Sequence, residues 1–353
     1  MNKLRPLQLA VLMVCARCFS MMTYFPYTHS NTLIFMVGIL LSGAFQTILL
    51  IPAVAVCQKR EMGLCEIAAA RSAAMGRVVT CFFLAYFAWD IFVTTGNFAY
   101  FSDQYFSDQI SRIPVVICAV GVAAYLGLMS SQVLGKCAGI MFALFAVFTS
   151  VLLLSTVTQP DLTNFHLAQR DIGSTIIKDA KWELIRNREL VMLVFLLGDV
   201  RGSKAKAAYG YIAIKIVILE VVMAFVTLVL GELAVETDMP FFYLSCYANS
   251  SVIERYDAGF MSVWTIMAVL RIAVMLHCFA RCLQKLSGRL SRRSATITAI
   301  IPAAATIIVL SQRRWKSIAY LREPPLLIIA VAAIIPLAVA LLRKNRRMSD
   351  ESK

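Results

Sequence analysis

Six ionisable side chains interrupt stretches of sequence that are otherwise apolar. They are Arg17, Asp90, Lys215, Glu220, Arg271 and His277. A charge at the centre of a bilayer costs about 2.5–3.5 kcal/mol on insertion scales, so such a residue faces the protein interior and has a partner or a task. The available chemistry is ion pairing and recognition of a charged ligand. Asp90 lies in "AYFAWDIFVTTGNF", where Tyr86, Asp90 and Asn97 recur near one helical face. We expect Asp90 to pair with Arg271, with Arg17 as the rival partner. Lys215 and Glu220 are five residues apart and do not share a face, so Lys215 is expected to reach toward the membrane edge. Glu220 is a weaker candidate for a ligand or coupling role. His277 reads as a satisfied polar group near the inner edge.

The elements that must position these groups are membrane spans. Of the 353 residues, 60% are hydrophobic and 15% charged, and the mean hydropathy is +0.76. Soluble domains are about 45–50% apolar and about 25% charged. The chain therefore reads as an all-α polytopic membrane protein in contact with the lipid bilayer. Its net charge of +14 calls for basic loops on one membrane face, not for nucleic acid. Ten cysteines, including both in "CARC" (15–18), are scattered singly through apolar runs and read as small packing residues. No signal-peptide cleavage site follows the first apolar segment.

A span needs about 20 apolar residues. The sequence predicts ten, over about 7–27, 32–56, 78–101, 113–132, 137–157, 189–200, 209–233, 258–280, 295–311 and 325–342. The loop 161–188 is expected to carry a short amphipathic helix on the surface. Basic residues weigh toward one side, which predicts both termini in the cytoplasm. The single transmembrane domain, 1–353, divides into repeat one (about 7–157), repeat two (about 189–342) and a tail (343–353).

Five plus five spans imply an inverted repeat, LeuT-like, with helices 1 and 6 broken and a ligand at the midplane. Span 6, "ELVMLVFLLGDVRG", is short and holds Gly198 and Gly202. The ligand is then expected between spans 1, 3, 6 and 8, against Cys18, Phe19, Ser20, Trp89, Thr94, Phe195, Gly198, Trp264 and Met267. Trp89 and Trp264 have an equally ready reading as packing aromatics. No phosphate-binding loop, metal-spaced His/Cys set or serine nucleophile elbow is present, so neither catalysis, a metal nor a cofactor is expected.

Several stretches resemble the B subunit of spore-germination nutrient receptors. They are "RELVMLVFLLGDV" (188–200), "YGYIAIKIVILEVVMAFVTLVLGELA" (209–234) and "MPFFYLSCYANSSVIERYDAGFMSVWTIMAVLRIAVML" (239–276). "LQLAVLMVCARCFSMMTYFP" (7–26) and "TLIFMVGILLSGAFQTILLIPAVAV" (32–56) are similar to the family's first two spans. Its span 8 motif falls on Arg255, Asp257, Trp264 and Arg271, with Glu254 beside it. The resemblance implies membership of the amino acid–polyamine–organocation superfamily and a place in the inner membrane of a spore. It also implies a larger membrane A subunit and a lipoprotein C subunit as partners, and a small nutrient such as an amino acid as the germinant. Two alternatives remain at this point: a secondary amino acid permease coupled to protons or sodium, and a scaffold with a degenerate pocket. Two departures bear on the site. Span 1 lacks the glycines that would unwind it, and span 6 runs into "GDVRG" instead of a proline turn.

Overall fold

The computed structural model describes residues 3–23, 32–105, 112–156, 161–165, 171–231, 233–237, 239–248, 256–311, 328–329 and 333–340. Glu254, Arg255, Pro26 and the tail 343–353 lie outside them. The described residues are helical, with a single β-bridge between Leu4 and Val200.

The first half comprises α1 (Pro6–Thr23), α2 (Thr32–Arg60), α3 (Leu64–Arg71), α4 (Ala73–Tyr105), α5 (Arg112–Gly127) and α6 (Ser131–Thr156). The second comprises α7 (Ile172–Arg186), α8 (Glu189–Leu196), α9 (Lys204–Leu230), α10 (Leu233–Glu236), α11 (Pro240–Tyr247), α12 (Tyr256–Ser287) and α13 (Arg292–Ser311). Among the described residues seven helices, α1, α2, α4, α6, α9, α12 and α13, are long and apolar enough to cross a membrane, and α5 is a shorter apolar helix over Ile113–Gly127. Residues 328–329 and 333–340 are the described part of the tenth expected span.

Two expectations about interruptions are corrected. α1 is continuous from Pro6 to Thr23. Its interior has no glycine or proline, so nothing in this stretch weakens the i→i−4 ladder. The helix of the 161–188 loop is present with an exposed face, but it does not simply lie on the surface. α7 buries Asp179, Glu183 and Leu184 and lies along α2. Only Asn187 and Arg188 separate it from α8, so α7 and α8 form one interrupted helix.

Glycines on α2 allow this packing. A Cβ at Gly38 would stand 2.8 Å from the Asp179 Cβ, and one at Gly43 would stand 2.3 Å from the Ile216 side chain. Without them α2 could not close on both α7 and α9. The core is deepest along α12, where Trp264, Met267, Arg271, Met275 and Cys278 are all buried.

Past α8, a short 3₁₀ turn (Leu197–Asp199) meets the start of the chain. The Leu4 amide donates to the Asp199 carbonyl at 2.8 Å, and the Arg201 amide donates to the Leu4 carbonyl at 2.8 Å. Gly198 lies so close to the α2–α3 loop that a Cβ on it would stand 2.4 Å from the Gly63 Cα.

Candidate functional site

The break at Asn187–Arg188 is the centre of a buried polar network. Asn187 is the C-terminal cap of α7, and its own amide bonds back to the Glu183 and Leu184 carbonyls. α1, α2, α4, α9 and α12 all send polar side chains to this point, because two non-helical residues leave backbone groups that need partners.

On one side of the break, Glu183 is shared by two cations. Arg17 meets its Oε2 at 2.5 Å and Lys215 its Oε1 at 3.0 Å. Arg17 also donates to the Arg186 carbonyl at 2.8 Å, the last residue of α7. Lys215 also donates to Gln46 Oε1 at 2.7 Å. The Asn187 carboxamide lies against Gln46 at 2.7 Å and against the Tyr211 hydroxyl. Lys215, 1% exposed, therefore does not reach the membrane edge as expected: a buried carboxylate on α7 holds it inside. Arg17 pairs with Glu183 and not with Asp90.

On the other side, Arg271 is fully buried between Glu189 and Asp90. Its guanidinium bonds to Glu189 Oε1 and to the Ala16 carbonyl of α1 at 3.0 Å. Its contact with Asp90 is longer, 3.5 Å. Asp90 is held more closely by Arg188, at 2.8 Å, and also accepts from Thr94 at 3.3 Å. The geometry thus joins Arg271 to Asp90 as the sequence suggested, but each has a nearer partner that sequence reading missed. Glu183, Arg188 and Glu189 flank apolar segments and read there as boundary charges. The one available signal was their spacing around the two-residue break.

The nine residues expected to line a ligand site fall into separate groups. Phe19 and Trp264 pack together with ring centroids 5.6 Å apart. Trp264 also stacks on Phe98 and Phe101, and its indole N–H donates to Thr23 Oγ1 at 2.9 Å. Met267 lies between Trp264 and Arg271 on the buried face of α12. Ser20 donates to Glu189 Oε1 at 3.3 Å, and Thr94 bonds Asp90. Ser20 and Thr94 thus bond the network at the break, and Phe19 lies under Arg271 with its ring centroid 5.9 Å from the guanidinium. Trp264 and Met267 continue the buried face of α12 away from the break, and Cys18 is buried in α1. Phe195 lies instead against Phe83 and Phe87, under the Arg281 and Lys285 side chains. Gly198 abuts Gly63, and Trp89 is half-buried against Phe92.

A second polar group closes the end of the bundle where α1 begins. Asp199 accepts from Ser131 at 2.8 Å and from Arg281. Ser131 reaches His277 Nε2 at 3.1 Å, and His277 Nδ1 faces the Gly127 carbonyl at 3.2 Å. Nearby, half-burial opposes ionisation of Glu66, but the Lys285 ammonium at 3.2 Å and the Gly63 N–H hold its carboxyl below the usual range. Among the described residues no group of His, Cys, Asp and Glu is arranged to hold a metal ion.

The interrupted α7–α8 and the polar centre beside it fit a class that a solved structure identifies, and the continuous α1 is this chain's departure from it. A solved structure described as a substrate-bound outward-open state of a Na+-coupled sialic acid symporter is similar in fold, with a TM-score of 0.63 over 95% of this chain and 78% of that one, at 13% identity. The protein is thus an all-α membrane protein of the LeuT-like, inverted-repeat transporter fold. The family of spore germination proteins, the spore permeases, matches residues 3–316, and the chain belongs to it. Curated protein sequences give no match.

Proposed function

We propose that the protein is the membrane subunit of a spore germinant receptor. It binds an amino acid or similar small nutrient and triggers germination. It acts beside a larger membrane A subunit and a lipoprotein C subunit in the inner spore membrane, with both termini on the cytoplasmic side. Family membership supports the germination role. The observation that carries the receptor reading is the break at Asn187–Arg188. There every charge of the network is engaged with another charge across α1, α4, α7, α8, α9 and α12. A ligand entering beneath Trp264, beside Phe19, Ser20, Thr94 and Met267, would exchange those contacts. It would thereby shift the halves of the bundle, which is what a trigger requires.

The test is a germinant dose–response in spores carrying Thr94→Ala or Trp264→Ala at normal protein level. The expected result is a rise of about tenfold or more in the half-maximal concentration, since losing one buried contact is worth about 1.4 kcal/mol or more. An unchanged curve for both variants rejects this ligand position. Counterflow uptake of the nutrient by the purified chain in proteoliposomes would instead mark it as a permease.

A further inference from the structure

The contacts of Glu189 are those that a free carboxylate would seek. Its Oε1 is met by the Arg271 guanidinium and, at 3.3 Å, by the Ser20 hydroxyl, whose one proton is shared with the Arg17 carbonyl at 3.0 Å. With its carboxamide turned, and that of Gln46 turned with it so that Lys215 bonds the Asn187 oxygen in place of Gln46, Asn187 donates to Oε2 at 3.1 Å. A guanidinium, a hydroxyl and an amide N–H, all buried or nearly so, make a complete donor set for one carboxylate. Glu189 is also the first residue of α8, so its charge sits at the positive end of that helix.

Two further observations set this apart from an ordinary internal ion pair. Among the described residues, Arg271 Nε is a buried donor with no hydrogen-bond partner, and Asp90 Oδ2, an acceptor that adds nothing to an anion seat, has none either. The donor capacity at the seat therefore exceeds what Glu189 uses, and buried donors are seldom left so. The segment holding Glu189 also adjoins the break directly. The Leu190 and Val191 amides bond to the Asn187 and Arg188 carbonyls at 3.2 Å, across the break itself. Glu189 is fully buried, so its carboxylate leaves the seat only as the start of α8 moves with it.

We infer that Glu189 is a resident carboxylate occupying an anion seat formed by Arg271, Ser20 and Asn187, and that the carboxylate of a small organic acid can take its place. This rests on the receptor reading only for its physiological meaning. In that reading the germinant's carboxylate displaces Glu189 and frees the start of α8, so the unliganded protein is held by its own side chain. The absence of glycine in α1 fits the same arrangement, because a side-chain seat replaces one made of unwound backbone.

The seat is tested on the purified full-length chain in lipid nanodiscs by chemical rescue. Glu189→Ala removes the resident carboxylate, and sodium acetate is titrated against sodium chloride at matched ionic strength. The expected result is a saturable rise in unfolding temperature with acetate for Glu189→Ala, as for any ligand bound by the folded state alone. The native chain should not respond, and Glu189→Gln, whose neutral amide fills the seat but holds Arg271 less strongly, should respond less than Glu189→Ala. Glu189→Ser serves the same purpose if the alanine variant does not assemble. Equal acetate response in all variants, or none in either truncated variant, overturns the inference. A second arm separates the seat from the receptor reading. In spores, Glu189→Gln should lower the half-maximal germinant concentration at least tenfold or cause germination without germinant. An acetate response in the nanodisc together with an unmoved germinant curve would leave the seat standing and remove the receptor reading.

Discussion

α1 and the α7–α8 pair both border the buried polar centre, yet they are built oppositely. α1 is one unbroken helix of 18 residues that contributes a charged side chain, Arg17, to the centre. α7–α8 is interrupted at Asn187–Arg188, and the backbone itself is opened there. Arg17 joins the two: it pairs with Glu183 and also donates to the Arg186 carbonyl beside the break. The lesson is that the polar needs of one unwound segment can be met by side chains from an intact neighbour. The symmetry of the fold then need not extend to symmetry of its breaks.

The sharpest way to break this comparison is Glu183→Leu. It strands two buried cations at once, Arg17 and Lys215. Loss of one partner from a buried pair costs about 3–5 kcal/mol, so folded protein in the membrane should fall steeply. Arg17→Leu should cost less, because Lys215 still neutralises Glu183. Quantitative fluorescence-detected chromatography of both variants checks the order, and equal levels would mean that α1 does not hold the break.

Gly198→Ala comes next. Its Cβ would collide with the Gly63 backbone at 2.4 Å, and overpacking of this kind costs about 1–3 kcal/mol. The expected outcome is a lower unfolding temperature with no change in the germinant half-maximal concentration. A shifted germinant curve at normal stability would return Gly198 to the ligand site.

A double-mutant cycle sharpens the picture inside the network. Asp90 should couple to Arg188 by about 1–3 kcal/mol and to Arg271 by less, following the 2.8 Å and 3.5 Å contacts. Reversed couplings would restore the simple Asp90–Arg271 pair. The smallest expected effect is that of Ala16→Gly, which gives α1 the glycine it lacks. About 1 kcal/mol of helix stability should be lost, read as a modest drop in unfolding temperature. A collapse of folded protein would mean that α1 is already near interruption.

The long spans were legible because a bilayer imposes length and apolarity directly: α2, α4, α9 and α12 follow the runs read from the sequence. α7 was not. It carries Lys178, Asp179, Lys181, Glu183 and Arg186, and a helix that polar reads as lying on the surface until Glu183 is seen opposite Arg17 and Lys215. That Lys215 stands in an apolar run was legible, but its inward direction was not, since hydropathy does not name partners. Arg271 and Asp90 stood out because they interrupt apolar runs. Arg188 and Glu189, equally buried in function, sit at the edge of one and looked like flanking charges. The continuity of α1 could have been read from its lack of glycine, had the expectation of symmetric breaks not outweighed it.

The span of chain between Arg17 and Glu183 also sets a clock. The two residues are 166 positions apart, and ribosomes add about 5–20 residues per second. Arg17 therefore enters the membrane on the order of 10–30 s before its counter-charge has been synthesised. For that interval α1 must be parked with its guanidinium at the headgroup level or against the insertion machinery. Slowing translation between the two should expose this helix to quality-control proteolysis, and hastening it should spare the newborn chain.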